Sequence, residues 1–447
     1  MAAQKLFGTN GIRGDAEKLF TNQFCFDIGR VFSIFLSQKQ IENRKIAFAM
    51  DPRKSSQRIK RAVIAGIAPH YEIVDEGIIP TPALNYFVKT KDCAGVMVSG
   101  SHIEEKLNGL KFFIGPEEIN KKDEVIIENI YDKEKERVPY SPMKKNVFQE
   151  DEAKNLYIKM LIGLAEGFFS GFKVVVDAGN GTQSETIPHA LEKLKIKVIK
   201  INCDLKKPII CRDTETEGAF SELQKEVLKQ QANFGLGVDA DGDRAIFVDE
   251  KGFSLPGEVS CSIIAKYSPQ KTIVTPINTS SVVEHIGKKV VRTKVGVLYV
   301  VEAMKKNNSL VGFESNGGFV SGEIFYGRDA GSATIKMLNI MKKTGKKLSQ
   351  LVEELPKFYI IKEKTDCPRR LNELIFAKVK EKYKGKKTED LDGLKVWTDA
   401  ESWILFRPSG NAPEFRVFAE AKEKEKAEKL AKEGMEVVNE ILCPKSN

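Results

Sequence analysis

Short apolar runs of strand character recur along this chain with helical stretches between them, and that alternation restricts its fold more than any other feature. Lys45-Ile-Ala-Phe-Ala-Met50, Tyr71-Glu-Ile-Val74 and Gly95-Val-Met-Val98 read as strands,. Strands separated by helices pair in parallel through crossovers, so parallel sheets are expected. Such sheets carry their chemistry on loops beyond the strands' carboxyl ends. After Val98 the chain empties into the small, flexible Ser99-Gly-Ser101-His102, which sets a hydroxyl on such a loop,. Ser and Gly are turn formers, so taken alone this is an ordinary polar loop.

Three other loops change that reading. Asp239-Ala-Asp241-Gly-Asp243-Arg244 places carboxylates at alternate positions, able to converge on one hard divalent cation, Mg²⁺ by preference,. An EF-hand is the rival, but Arg244 stands where that loop needs glycine and the flanks, Phe234–Val238 and Ala245–Asp249, are strand-like,. A purely structural acidic turn must contend with repulsion among its carboxylates. The segment Trp403-Ile-Leu-Phe-Arg407-Pro-Ser409-Gly410-Asn411-Ala-Pro-Glu-Phe-Arg416 brackets a small polar loop with two arginines. Backbone N–H groups and guanidinium forks suit phosphate, although a plain β-turn has the same composition. Gly312-Phe-Glu314-Ser315-Asn316-Gly-Gly318 sets a carboxylate beside an amide, which suits vicinal sugar hydroxyls and decides nothing by itself,.

In this order the four loops resemble the α-D-phosphohexomutase family, which includes phosphomannomutase/phosphoglucomutase and phosphoglucosamine mutase. Leu6-Phe-Gly-Thr-Asn-Gly-Ile-Arg13-Gly14, Asp51-Pro-Arg53-Lys-Ser-Ser, Pro80-Thr-Pro-Ala83, Arg292-Thr-Lys-Val-Gly296 and Gly327-Arg-Asp329 extend the resemblance nearly end to end. The wording is most similar to the archaeal branch.

The resemblance implies a fold of three topologically similar mixed α/β domains and a smaller C-terminal α+β domain around a central cleft. It implies that Ser101 is carried as phosphoserine and exchanges phosphoryl groups with a hexose phosphate by way of a bound hexose 1,6-bisphosphate. Asp239, Asp241 and Asp243 match the ligands of one Mg²⁺ per chain, with Ser101 completing the set. Glu314, Ser315 and Asn316 match the sugar-reading loop. Arg407, Ser409, Gly410, Asn411 and Arg416 match the loop that holds the non-reacting phosphate. Arg13, His102 and Lys111 match groups beside the serine, and Lys111 is the candidate for proton transfer, a role that calls for a lowered pKa. In the family the C-terminal unit swings over the cleft and excludes water.

Several positions depart from the family pattern. Ile103-Glu104 follow Ser-His where Asn-Pro is usual, Gly100 replaces alanine, and the phosphate loop reads Ser409-Gly-Asn-Ala-Pro413 rather than Ser-Gly-Thr-Glu-Pro. Asn316 and Gly318 stand where bacterial members often have serine and histidine. Cys211-Arg-Asp-Thr-Glu-Thr-Glu217 replaces a Pro-Glu-Pro stretch. The expected activity is a phosphomannomutase/phosphoglucomutase, with phosphoglucosamine mutase as the alternative. A metal-dependent sugar phosphatase and a binding or regulatory paralogue are the further readings.

Composition adds bounds. The 447 residues, 41% of them hydrophobic, suffice for three or four domains,. No apolar run approaches the roughly 20 residues of a membrane span, and the amino terminus lacks a secretory h-region. Seven cysteines without Cys-x-x-Cys pairs and only four histidines speak against a disulfide scaffold or structural zinc,. A cytoplasmic protein is expected, monomer or homodimer. The net charge of +9 raises the possibility of nucleic acid, but its lysines sit in mixed runs such as Lys422-Glu-Lys-Glu-Lys-Ala-Glu-Lys429, without the interleaved aromatics of a single-strand groove,. A basic cleft for sugar phosphates fits better.

Domain limits are expected at 1–150 for the phosphoserine loop, 151–253 for the metal, 254–364 for the sugar and 365–447 for the mobile phosphate loop. Phe172-Lys-Val-Val-Val176 followed by Asp177-Ala-Gly-Asn-Gly-Thr182 suggests a dinucleotide site but lacks its third glycine, and a tight structural turn is expected there,.

Overall fold

Three sheets repeat one strand order, each with parallel inner strands and a last strand that runs antiparallel to them. In the computed structural model, which describes residues 6–8, 11–41, 43–115, 117–143, 147, 149–410 and 413–442, the first sheet runs Leu107–Ile114, Ala94–Val98, Lys45–Met50, Glu72–Ile78. Ile12–Asp15 is added beyond Leu107–Ile114. The second runs Ala245–Asp249, Phe234–Val238, Lys173–Asp177, Lys197–Ile201, and the third Phe319–Ser321, Val311–Phe313, Thr272–Pro276, Lys289–Thr293.

The sheets are therefore mixed rather than wholly parallel. Residues 99–106, 239–244 and 314–318 are too short to cross over, so each can only turn its strand back as a hairpin,. Ser101, the aspartates and Glu314 consequently occupy equivalent hairpin loops of three like sheets.

The central strands Ala94–Val98 and Phe234–Val238 are buried at every residue, as strands covered by helices on both faces must be. Helix Asn22–Gln38 starts where Thr21 Oγ1 accepts from Phe24 N at 3.1 Å and buries Cys25, Ile28, Phe32 and Phe35,. Helix Ala330–Thr344 is capped by Asp329 and ends at Gly345, whose φ of +67° suits a glycine stop,. One hydrophobic cluster runs from Ala47 and Phe87 through Tyr157, Val174 and Phe234 to Phe313 and Leu338, so the three sheets share a core. Tyr157, on helix Glu152–Gly163, donates to Asp329 Oδ1 at 2.5 Å and accepts from Gln183 Nε2 at 3.1 Å.

The fourth sheet is antiparallel, in the order Tyr359–Asp366, Glu414–Ala421, Trp403–Pro408, Leu394–Trp397, Thr388–Glu389. Strand Tyr359–Asp366 pairs along its whole length with Glu414–Ala421, so this sheet begins ahead of residue 365. Helices Asn372–Lys382 and Lys424–Leu442 cover a core of its own. Trp403, Leu405 and Phe418 pack instead on Ile277 of the third unit. Among the described residues no helix is long and apolar enough to cross a membrane.

Candidate active site

Ser101 is fully buried and holds φ at +52°. A non-glycine residue persists in that left-handed region only where its surroundings impose it. Here the constraint is a buried Asp51–Arg53 pair, Nε to Oδ2 at 2.9 Å. Arg53 donates to the carbonyls of Ser101 and Ile103, each at 2.7 Å, and of Glu104 at 2.6 Å. Asp51 accepts from Ser99 Oγ at 2.8 Å and Gly100 N at 3.1 Å. So held, Ser101 Oγ lies 3.1 Å from Asp239 Oδ2 and 3.3 Å from His102 Nδ1. Burial, with the guanidinium groups of Arg244 and Arg13 nearby, keeps the His102 imidazole well below its ordinary pKa and therefore neutral.

Asp239, Asp241 and Asp243 are buried and offer oxygens within 4.8 Å of one another. Asp241 Oδ1 and Asp243 Oδ1 have no hydrogen-bond partner, a costly state for buried carboxylate oxygens unless a cation meets them. An oxygen-only donor set of this kind fits a hard divalent cation. The other oxygens are matched by cations: Lys111 Nζ reaches Asp241 Oδ2 at 2.6 Å, and Arg328 Nη2 reaches Asp243 Oδ2 at 2.7 Å. Burial and the two neighbouring carboxylates push Asp239 well above the carboxylate range. Burial would raise Asp241 too, but the Lys111 ammonium overrides it and holds Asp241 well below that range. For Lys111, burial works to lower the pKa, and Asp241 and Asp243 outweigh it, so the ammonium is raised. This is the opposite of the lowered value sought for a proton-accepting lysine.

Arg328 also donates from Nη1 to Glu314 Oε2 at 2.8 Å, locking the sugar loop to the aspartate loop. Ser315 Oγ is committed to Glu215 Oε1 at 2.8 Å, and the Asn316 carbonyl accepts from Thr214 Oγ1 at 2.8 Å. In the fourth sheet Arg407 and Arg416 are directly opposite each other across the hairpin. Like charges so placed are destabilising unless an anion lies between them. Arg407 Nε donates to Asp392 Oδ2 at 2.7 Å and Arg416 Nη2 to Glu414 Oε2 at 3.3 Å. Ser409 N donates to the Glu414 carbonyl at 2.8 Å. Asn411 lies outside the described residues.

These loops wall one cleft of about 370 Å³, which Arg13, His102, Glu314, Asn316, Arg407, Ser409 and Gly410 all line. Lys111 stands behind it, at the aspartates. Seven cationic side chains face four carboxylates around it, a balance suited to doubly charged ligands,.

Sequence comparison gives the same grouping. The profile for phosphoglucomutase/phosphomannomutase α/β/α domain I matches residues 4–138, that for domain II residues 156–252 and that for domain III residues 251–359. The chain belongs to the phosphoglucomutase/phosphomannomutase family. It is 33% identical to the phosphoglucomutase/phosphomannomutase of Thermococcus kodakarensis over 98% of this chain and 99% of that one. It is 32% identical to the phosphoglucosamine mutase of Caldanaerobacter subterraneus over 98% of this chain and 99% of that one. The crystal structure of a phosphoglucomutase/phosphomannomutase family protein from Burkholderia thailandensis superposes with a TM-score of 0.82 at 21% identity, covering 100% and 99% of the two chains. As a member of this mutase family the protein is an isomerase.

Two departures from the family pattern have local explanations. Arg53 grips residues 103 and 104 by their carbonyls, so Ile103-Glu104 leaves the brace in place. Gly100 makes room for that guanidinium, since a Cβ would stand 2.5 Å from Arg53 Cζ. The glycine turn at 179–182 is structural: Thr182 N donates to the Ala240 carbonyl at 3.0 Å, and a Cβ on Gly181 would meet that oxygen at 2.7 Å. Neither Glu215, within the divergent segment Cys211 to Glu217, nor Lys362 was assigned to the cleft from the sequence, because a single charged residue in a polar stretch carries no local signal.

Proposed function

We propose that the protein interconverts hexose 1-phosphate and hexose 6-phosphate through phosphoserine at Ser101 and a bound hexose 1,6-bisphosphate, acting in the cytoplasm. Glucose and mannose phosphates are the first choice of substrate. The domain limits at residues 150 and 253 belong to the same proposal, whereas the expected limit at 364 falls inside strand Tyr359–Asp366 of the fourth sheet. One observation carries the proposal: a sugar-type loop and a paired-arginine loop line one cationic cleft with His102 and Arg244, which in turn touch the buried Ser101 and Asp239 of the carboxylate cluster.

Asp239, Asp241, Asp243 and Ser101 would hold Mg²⁺, which neutralises charge on a phosphoryl group in transfer. Arg407, Ser409, Gly410, Arg416 and Asn411 would hold the phosphate that is not reacting, and Glu314 and Asn316 the sugar hydroxyls. Transfer breaks the bond between phosphorus and Ser101 Oγ and forms one to the free sugar hydroxyl, whose proton ends on Ser101 Oγ. His102, neutral and 3.3 Å from that oxygen, is placed to relay it,. Lys111 enters as a donor, since it rests as an ammonium. Arg13 supplies further positive charge. After the intermediate turns over, the second phosphate returns to the serine by the same steps. Phosphoglucosamine mutase is the second reading, supported by the Caldanaerobacter relative.

The test is incubation with Mg²⁺ and trace glucose 1,6-bisphosphate against a panel of hexose 1-phosphates, following 6-phosphate and free phosphate, with Ser101→Ala as control. Isomerisation lost in the variant is the expected result and ranks the sugars. Free phosphate without isomer would replace the proposal with a phosphatase, and silence across the panel with a binding paralogue.

A further inference from the structure

The segment Asp213–Glu215 touches three parts of the cleft at once. Asp213 Oδ1 lies 3.8 Å from Arg244 Nη1, next to the aspartate loop. Thr214 Oγ1 donates to the Asn316 carbonyl, and Glu215 Oε1 accepts from Ser315 Oγ, both at 2.8 Å in the sugar loop. The same Glu215 oxygen accepts from Lys362 Nζ at 2.6 Å. Lys362 is on strand Tyr359–Asp366, the outer strand of the fourth sheet. Among the described residues this is the sole ion pair between that sheet and the chain of the second unit.

We infer that Glu215 is a positioning residue that latches the fourth sheet over the cleft and, through Ser315, fixes the sugar loop only while the latch is made; this rests on the mutase reading above. A surface ion pair alone is worth little. This one differs because the carboxylate it neutralises holds a cleft loop by its hydroxyl. Burial would raise Glu215, yet Lys362 and Ser315 hold it down to about 2, so it stays charged. A second carboxylate, Glu258, is buried with its Oε2 unpartnered; burial raises it, and the charge of Lys362 works in the other direction. If the fourth sheet moves away, Glu215 loses the cation it is paired with, and that modestly favours the closed arrangement,. A phosphosugar whose phosphate is held by Arg407 and Arg416 on the same sheet would work with the latch, because both draw one wall of the cleft towards the other.

The experiment compares Glu215→Gln, Lys362→Met and the charge-reversed pair Glu215→Lys with Lys362→Glu. Two readouts are taken: steady-state KM and kcat on the hexose 1-phosphate turned over by the parent, and the radius of gyration by small-angle scattering without ligand. Each single variant is expected to raise KM about tenfold with a smaller change in kcat and to enlarge the particle, while the reversed pair restores both at least in part. Wild-type-like KM and unchanged scattering in both single variants would overturn the latch. So would a loss confined to kcat that the reversed pair does not restore. If the parent turns over no sugar phosphate, the mutase reading fails by itself, and the scattering still decides whether the latch exists.

Discussion

Arg53 shows how one buried side chain can set a reactive group. Its guanidinium binds the carbonyls of Ser101, Ile103 and Glu104 while its Nε neutralises Asp51, with both side chains fully buried. Arg53→Met would strand a buried carboxylate, so a loss of about 3–5 kcal/mol in urea unfolding is expected. Activity should fall as well, because Ser101 would relax from its positive φ. A loss below about 1 kcal/mol, the range of an exposed pair, would mean the brace is not needed. The motif Asp51-Pro-Arg53 was visible in the sequence as a family match. Its purpose was not, because a contact with carbonyls fifty residues away leaves no mark on the pattern.

Among the elements, the hairpin loop of each repeated sheet delivers one part of the site, and its charges make it dependent on ligands. Free carboxylates in the aspartate loop repel one another, and Mg²⁺ at a hundredfold excess over its Kd should stabilise the protein by about 2.7 kcal/mol. Asp239→Asn should reverse the pattern, raising the melting temperature of the metal-free protein and abolishing the Mg²⁺ shift; thermal melts with and without the ion check both. In the fourth sheet Arg407 and Arg416 face each other across the hairpin, each held by one carboxylate, Asp392 and Glu414, with guanidinium donors left over for an anion between them,. Arg416→Ala is therefore expected to raise KM about 10- to 100-fold, the value of a lost charge-assisted hydrogen bond or two, with stability unchanged or improved. An unaltered KM would remove Arg416 from the phosphate loop.

For the whole molecule, the shared core of the first three units contrasts with the way the fourth is attached. Lys395, 2% exposed, lies at that joint with Nζ 4.0 Å from the centroid of Trp403 and 3.4 Å from the Ile277 carbonyl. Burial, with Arg292 adding to it, lowers its pKa to about 7, although Glu420, Glu389 and Glu284 favour the charge. An unfolded chain keeps lysine near about 10.4. Between those values the unfolded state binds more protons, so this residue makes stability rise with pH, and its full cost is present below about 7,. Lys395→Met should therefore stabilise the protein more at pH 6 than at pH 9, as read by melts at both. A gain that does not depend on pH would place the effect in packing alone.

Strand and helix alternation, the strained serine's loop, the aspartate spacing and the arginine-flanked turn were all legible in the amino-acid order, because each is a local pattern of periodicity or turn chemistry. The order also carried the family match. It did not show that the last strand of each of the three sheets turns back antiparallel to its neighbour, since pairing direction depends on where a short loop lets the chain go. Nor did it show that Arg328 joins the sugar loop to the aspartates, that Lys111 rests as an ammonium, or that Glu215 meets Lys362. Those facts arise from contacts between residues that are distant in sequence. Charge in a protein interior is governed by the nearest buried partners, and only the assembled tertiary structure decides which partners those are.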